Sequence, residues 1–513
     1  MTIDQANSTR REGRGRLTSR GYLGLLATQF LGAFNDNMLR WLAVPIGQQE
    51  MDPTLALTLG GISFVIPYLI LAPMAGSFAD RFSKRSVILA CKLAEVVIIL
   101  LAILGLATGN IPLLFAVVAM MGGQTALFAP AKFGSLPELL TPDRLSSGNG
   151  YMGLVTVIAC ALGGVAGYQL YGVIEPAWNN GGSLIGLWPA AAALLATAIA
   201  GVLTSLPILR VPAADPERKL ELNPVMATWP ALKELWSDVR LARTALGIGF
   251  FWSLAALAQL NIDPFGGDVL GLAKRDIGML LALLVAGVGT GSVLAGWWSG
   301  GKVELGIVPI GAFGLIVSSI GLFFAGLGVD AASAEPSRTA FVASCIWLFL
   351  LGTSGGLFSI PLDAYLQHRS DEKVRGTVLA GSNFVAFSMM LVAIGAFYLM
   401  HGVLELSPGM IFLLAGLSTI PVAGYILKLM PDLAFRCALW LATRTVYRLR
   451  VYGRENIPEH GGAVLVANHV SFVDGVLLLV SSSRLVRFIV YADYTKKPGL
   501  NILARIMRVI PIR

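Results

Sequence analysis

Three groups of residues in this chain have types and spacings that can do chemistry. The first is a set of ionisable and amide side chains inside long apolar runs. Gln29 and the triplet Asn35-Asp36-Asn37 precede Arg40, Lys92 precedes Glu95 by three, and Lys132 ends a later run. Gln259, Asn261 and Asp263 share another run, and Asp363 and Gln367 close one more. A charge at the centre of a lipid-spanning helix costs about 2.5–3.5 kcal/mol on insertion scales, so such residues are kept for function or for pairing. Spacings of three and four put Lys92 with Glu95, and Asp36 with Arg40, on one helix face. Those pairs either knit helices together or meet a charged substrate. Asp36 lies in a run of three polar residues, more than one internal ion pair requires, which favours the second use.

The second group is Gly76-Ser-Phe-Ala-Asp80-Arg81-Phe-Ser-Lys84-Arg85. Gly76 permits close helix approach. Asp80 is placed to pair with a basic residue or a helix N-terminus across an interface, a latch that would shut one end of the protein. The plainer alternative is a basic loop that only sets orientation. The corresponding later segment, Gly296-Trp-Trp-Ser-Gly-Gly-Lys302, lacks the Asp-Arg pair, so any such latch is one-sided. The third group is Asn468-His469-Val-Ser471-Phe-Val-Asp474, with an imidazole and a carboxylate in H-x-x-x-x-D spacing, the pairing used in general-base proton transfer.

The elements that must hold these residues follow from composition. Of 513 residues, 55% are hydrophobic and 13% charged, against about 25% charged in soluble domains. The apolar surface this implies needs lipid as its solvent. Runs long enough for a bilayer core of about 30 Å occur at 21–48, 54–79, 86–107, 111–133, 146–172, 183–209, 243–265, 276–299, 304–328, 340–362, 374–400 and 408–430. Runs of this length favour helices over a barrel. The expected organisation is a basic N-terminus over 1–20, a six-helix half over 21–209, a connector over 210–242 and a second six-helix half over 243–430. A linker helix over 431–452 and an α/β segment over 453–513 complete it.

The net charge of +8 is no footprint for nucleic acid, because the charges cluster between apolar runs. Arg81, Lys84, Arg85, Arg210, Arg218, Lys219, Lys233, Arg240, Arg369, Lys373 and Arg375 fall on one side of the spans, and only Lys274, Arg275 and Arg338 on the other. By the positive-inside bias both termini are cytoplasmic. Leu222 to Ala242 has apolar residues at helical spacing, which predicts an interfacial amphipathic helix. Cys91, Cys160, Cys345 and Cys437 are scattered and suit packing; no disulfide framework or metal site is expected.

The tail reads differently. GGAVLVANHVSFVDGVLLL predicts a β-branched strand, a polar loop and a helix. Some sixty residues are too few for a self-sufficient α/β core, so a domain cut off in mid-fold is expected there.

These motifs carry resemblances. The 76–85 segment resembles the G-x-x-x-D-R-x-x-[GKR]-[RK] loop of the major facilitator superfamily. Gln29-Phe-Leu-Gly-Ala-Phe-Asn-Asp36-Asn37, Phe128-Ala-Pro130-Ala-Lys132-Phe-Gly134-Ser-Leu-Pro137-Glu138, Pro361-Leu-Asp363-Ala-Tyr-Leu-Gln367 and Gly376-Thr-Val-Leu-Ala-Gly-Ser-Asn383-Phe384 are similar to stretches of the lysophospholipid transporter family. Arg40 departs from that pattern, where an apolar residue is expected. The implied fold is an all-α membrane protein, a twelve-transmembrane-helix major facilitator fold in two halves, followed by a truncated α/β acyltransferase segment. The implied activity is flipping of lysophospholipids, chiefly lysophosphatidylethanolamine, from the outer to the inner leaflet of a bacterial inner membrane. Asp36 would meet the head-group ammonium and Lys132 or Arg40 its phosphate, with Gln29, Asn37, Glu95 and Asp363 as further candidates. The transporter would work as a monomer without a cofactor.

His469 and Asp474 resemble the first motif of glycerolipid acyltransferases. In that chemistry His469 takes the proton of a glycerol hydroxyl attacking a thioester, and Asp474 orients the imidazole. The acyl donor would be acyl-carrier protein or acyl-CoA. The family's phosphate-binding F-P-E-G segment is absent, so the acyltransferase portion should be inactive as it stands. Transporter followed by acyltransferase is similar to fused bacterial lysophospholipid salvage proteins. The competing expectation is a general major facilitator exporter of drugs or small solutes, which has no evident use for the tail; an enzyme with a mere membrane anchor does not need twelve spans.

Overall fold

Lipid offers no partner to a backbone N–H or C=O, so the long apolar runs fold as helices that satisfy their own hydrogen bonds. The computed structural model describes residues 16–429 apart from 142–143, 181–183, 214, 218–219, 221–222, 300–303, 328–336 and 372–373, together with parts of 451–512. The first half comprises α1 (Arg20–Glu50), α2 (Pro53–Arg81), α3 (Lys84–Thr108), α4 (Ile111–Leu139), α5 (Leu145–Asn179) and α6 (Leu184–Ser205). A shorter helix, α7 (Pro224–Ser237), leads into α8 (Val239–Pro264), α9 (Lys274–Ser299), α10 (Val308–Gly326), α11 (Arg338–Arg369), α12 (Arg375–Phe397) and α13 (Pro408–Leu429). Asp52, Ser83 and Asn110 cap the starts of α2, α3 and α4 with their side chains, which lets each turn between spans stay short.

Among the described residues eleven helices are long and apolar enough to cross a membrane, and the chain is a multi-pass membrane protein. The one long helix outside that set is α1, whose 31 residues suffice in length but include Gln29, Asn35, Asp36, Asn37 and Arg40. It lies inside the bundle, with Tyr22, Leu25, Met38 and Trp41 all buried. A helix wrapped by protein can carry polar groups that a lipid-facing one cannot.

Helix neighbours repeat between the halves. In the first, α1 packs on α5 and α2 on α4; in the second, α8 packs on α12 and α9 on α11. Across the interface α5 packs on α9 and α2 on α12. Small residues set the closest approaches. Gly287 and Gly291 of α9 face Gly352 and Gly356 of α11, and a Cβ at any of the four would collide with backbone of the other helix. The two small-xxx-small stripes thus let backbones touch, which is how helices associate when lipid removes the hydrophobic drive.

The halves are in close contact at one end. Towards the end away from Arg20, here the distal end, Gly164 abuts Leu281, Gly278 abuts Val165 and Tyr168, and Gly172 abuts Arg275. Towards the basic end, where Arg20, Arg81 and Arg375 lie, a Cβ added at Gly76, Gly150, Gly153, Gly296 or Gly376 meets nothing within 4 Å. The expected close approach at Gly76 is therefore not made.

The α7 helix lies against α12 and α2 through Thr228, Ala231 and Leu235, and turns Val225, Met226, Trp229 and Trp236 outwards. Asp238 caps α8 and accepts from Arg369 at 3.2 Å. The Arg240 N–H and then the Arg369 guanidinium hold its carboxyl below the usual carboxylate range.

In the tail, α14 (Val473–Ser481) and α15 (Ala492–Lys496) accompany a parallel pair, β1 (Ile489–Tyr491) and β2 (Ile510–Ile512). The strand expected before Asn468 does not form: residues 462–468 carry no strand, and Val464 and Val466 are about nine-tenths exposed. A β-branched stretch becomes a strand only with a partner to pair with. The linker helix expected over 431–452 lies almost wholly outside the described residues, as do Cys437 and Lys302.

Replacing Gly352 by Val should lower the detergent-solubilised protein's unfolding temperature by several degrees, since overpacking costs about 1–3 kcal/mol. Gly76→Val, at an open position, should leave it unchanged in the same thermal-shift measurement.

Candidate functional site

Between the halves lies a cavity of about 420 Å³, within the span of about 300–1,000 Å³ typical of ligand sites. Its wall is largely apolar, with Phe64, Phe251, Trp252, Leu281, Phe387 and Met390 contributing. The polar lining is small: Asp36, Asn37 and Arg40 from α1, Thr156 from α5, Gln259 and Asn261 from α8, Ser319 from α10 and Asn383 from α12.

The α1 residues decide what the cavity can bind. The Asp36 Oδ2 accepts from Thr125 Oγ1 of α4 at 2.7 Å, and its buried Oδ1 has no partner among the described residues. The Arg40 guanidinium lies 5.1 Å over the Trp41 ring and reaches Gln259 Oε1 at 3.5 Å, leaving Nε without a partner among the described residues. The ion pair allowed by their four-residue spacing is not made, because each is drawn to a different neighbouring helix. The result is an anion and a cation one helical turn apart in one apolar wall, each with unspent hydrogen-bonding capacity. Asn37 lines the cavity while its Nδ2 bonds Ala33 O at 2.9 Å. Asn261 donates to Pro408 O at 2.8 Å and keeps Oδ1 free of partners among the described residues.

Other expected site residues lie outside the cavity lining. Lys92 and Glu95 do pair, at 2.6 Å, with 2% and 1% of their side chains exposed. Asn35 Nδ2 donates to the other Glu95 oxygen at 2.8 Å. Gly32 makes room for this lysine, since a Cβ there would collide with its ammonium. Glu95 is thus spent on helix packing. Gln29 ties α1 to α5 by donating to Thr156 Oγ1 at 2.8 Å. Lys132 sits over the Phe133 and Phe128 rings at 4.6 and 5.7 Å, a cation–π arrangement away from the cavity wall. Of the two cations expected for a phosphate, the structure brings Arg40 to the cavity and not Lys132. Asp363, half-buried on α11, is also absent from the lining.

In the 76–85 loop the described bonds stay within one half. Lys84 pairs with Glu138, and Arg85 donates to Leu206 O at 2.9 Å. Arg81 lies 5.8 Å over the Phe82 ring, and the Asp80 side chain lies outside the described residues. In the tail, Asp474 Oδ2 accepts from Val470 N at 2.6 Å and Ser471 N at 2.7 Å, folding the H-x-x-x-x-D loop back on its carboxylate. His469 lies outside the described residues.

Sequence reasoning missed Thr125 and Thr156, which looked like ordinary members of apolar runs, and assigned Cys160 to packing although it lines the cavity. A hydroxyl at these positions carries no signal until the helix phases are known. Cys91, Cys160 and Cys345 are free thiols, and no cluster suited to a metal ion occurs among the described residues.

Two matching six-helix halves around a cavity at their interface, closed at one end, define a secondary-transporter architecture. The chain belongs to the Major Facilitator Superfamily, whose profile matches residues 25–394; an acyltransferase profile matches residues 448–513. It is 28% identical over 392 residues to a protein of Serratia proteamaculans (strain 568) named "Lysophospholipid transporter LplT", covering 75% of this chain and 89% of that one. A protein of the same name from Cronobacter sakazakii (strain ATCC BAA-894) is 28% identical over 393 residues, covering 75% and 90%. Among solved structures, a POT family transporter in complex with a thioalcohol-conjugated peptide superposes with a TM-score of 0.63 at 13% identity, covering 81% of this chain and 96% of that one. One in complex with 5-aminolevulinic acid gives 0.61 at 12% identity, covering 81% and 96%. At such identities the likeness is one of fold.

Lys92→Met alone leaves Glu95 buried without its cation and should cost about 3–5 kcal/mol. Lys92→Met combined with Glu95→Gln should recover most of that loss. Thermal unfolding of the purified variants separates the two outcomes.

Proposed function

We propose that this chain is a lysophospholipid transporter that flips lysophosphatidylethanolamine-like lipids from the outer to the inner leaflet of a bacterial inner membrane, delivering them to a complete acyltransferase of the kind its C-terminal region resembles. The observation that carries this reading is the placing of Asp36 and Arg40, unpaired with each other, on one wall of a largely apolar cavity. A zwitterionic head group brings an ammonium for the free oxygen of Asp36 and a phosphate for the guanidinium of Arg40, charge-assisted bonds in both cases. The acyl chain is accommodated by the Phe, Leu and Met wall. The relatives named lysophospholipid transporters support the same substrate class.

The charge bias supports a basic end and termini in the cytoplasm, the compartment where acylation would occur. In a complete domain His469 would serve as general base and Asp474 would orient its imidazole, with acyl-carrier protein or acyl-CoA as donor. Trapping by acylation would draw the lipid inwards without an energy-coupling ion.

Uptake of labelled lysophosphatidylethanolamine by spheroplasts expressing the full chain tests the transport reading. Asp36→Asn and Arg40→Gln should each lower uptake by about tenfold or more, because each removes a charge-assisted bond worth about 1.5–3 kcal/mol. Uptake unchanged in both, from correctly inserted protein, would refute it. Occupancy can be read independently. With Cys91, Cys345 and Cys437 replaced by Ser, lysophosphatidylethanolamine should slow alkylation of Cys160 in the cavity wall several-fold, and an unchanged rate would count against the cavity as the binding site.

A further inference from the structure

At the distal end the two halves meet on a single carboxylate. Asp263 is at the end of α8, just before Pro264, and its side chain is 1% exposed. Lys274, which opens α9 in the same half, places its ammonium 2.9 and 2.7 Å from the two Asp263 oxygens. From the other half, Gln48 of α1 donates to Oδ2 at 2.5 Å and the Tyr168 hydroxyl of α5 donates to Oδ1 at 3.2 Å. Two oxygens thus take four donor contacts, which matches the acceptor capacity of a carboxylate. Beside this cluster, Gln169 Nε2 donates to Arg275 O at 3.2 Å, and Gly278 packs on Val165 and Tyr168.

We propose that Asp263, with Gln48 and Tyr168, is the latch of the distal gate, holding that end shut while the basic end is open. The argument lies in which bonds cross the interface. The ion pair is internal to the second half, so Asp263 and Lys274 travel together and the buried charge stays neutralised whether the gate is shut or open. Only neutral donors, an amide and a phenol, reach over from the first half. An inter-half ion pair at this depth would leave an unpaired buried charge on opening, a penalty that would trap the protein in one state. Neutral donors to an already paired carboxylate give a latch strong enough to close and weak enough to release. The latch also adjoins the cavity. Tyr168 stacks on Trp41 at 5.3 Å between ring centroids, and Arg40 lies over that same Trp41. Asn261, two residues before Asp263, lines the cavity itself.

The test is a distance measurement across the distal face by pulsed electron paramagnetic resonance. The full chain, with its four native cysteines replaced, carries nitroxide labels at Asn180→Cys in the first half and Leu404→Cys in the second. The variant pair is Gln48→Leu with Tyr168→Phe, which removes the cross-half donors and leaves the Asp263–Lys274 pair intact, so no buried charge is orphaned. The parent should show a short-distance population. The double variant should gain a longer one, with the open-to-closed ratio raised by roughly tenfold or more, and Tyr168→Phe alone should shift it part of the way. Identical distance distributions in parent and double variant, with both proteins folded by thermal shift, would overturn the proposal.

Discussion

Every charge inside the hydrocarbon must be answered by a partner within the bundle, and most of this structure is arranged around that constraint. Lys92 answers Glu95, Lys274 answers Asp263, and phenyl faces answer Lys132. Each of these groups is settled by its neighbours on the same half. Asp36 and Arg40 depart from this: they share a helix and a spacing that permits pairing, yet Thr125 and Gln259 hold them apart. An unpaired anion and an unpaired cation in one wall are costly unless something completes them, and a zwitterion completes both at once. Specificity follows from the same economy, because a solute with one charge or none would leave a buried group wanting.

The helix framework keeps that arrangement in place while allowing the halves to move. Within each half contacts are dense, and in the second the glycine stripes of α9 and α11 bring backbones together. Between halves the joins are fewer: α5 on α9, α2 on α12, and the aromatic stack of Tyr68 on Phe387 at 4.0 Å. The interface can therefore hinge without disturbing the buried pairs, all of which lie inside a half. That division, ionic partners within halves and neutral or apolar partners between them, is what lets a protein full of buried charges change state.

Much of the framework was legible in the sequence. The apolar runs marked the long helices, falling short of the ends at Leu139, Asn179 and Arg369 by about two turns, and Lys92 and Glu95 paired as their spacing implied. What was not legible depended on helix phase and on docking. Lys132 has the right chemistry for a phosphate, but only the folded bundle reveals that Phe128 and Phe133 occupy it. Gln48 and Tyr168 reach Asp263 across sequence separations of 215 and 95 residues, and no local pattern announces such a meeting. The stretch before Asn468 has strand-forming residues without a strand to pair with, so local propensity misled there.

The central claim is that this cavity carries one zwitterionic head group with a single acyl chain. Albumin back-extraction of fluorescent lipids from proteoliposomes containing the full chain addresses it most directly. The account predicts that protein-containing vesicles equilibrate lysophosphatidylethanolamine between leaflets much faster than empty vesicles, while the diacyl lipid with the same head group stays where it was inserted. Equal rates with and without protein, or a diacyl lipid moved as fast as the lysolipid, would contradict it.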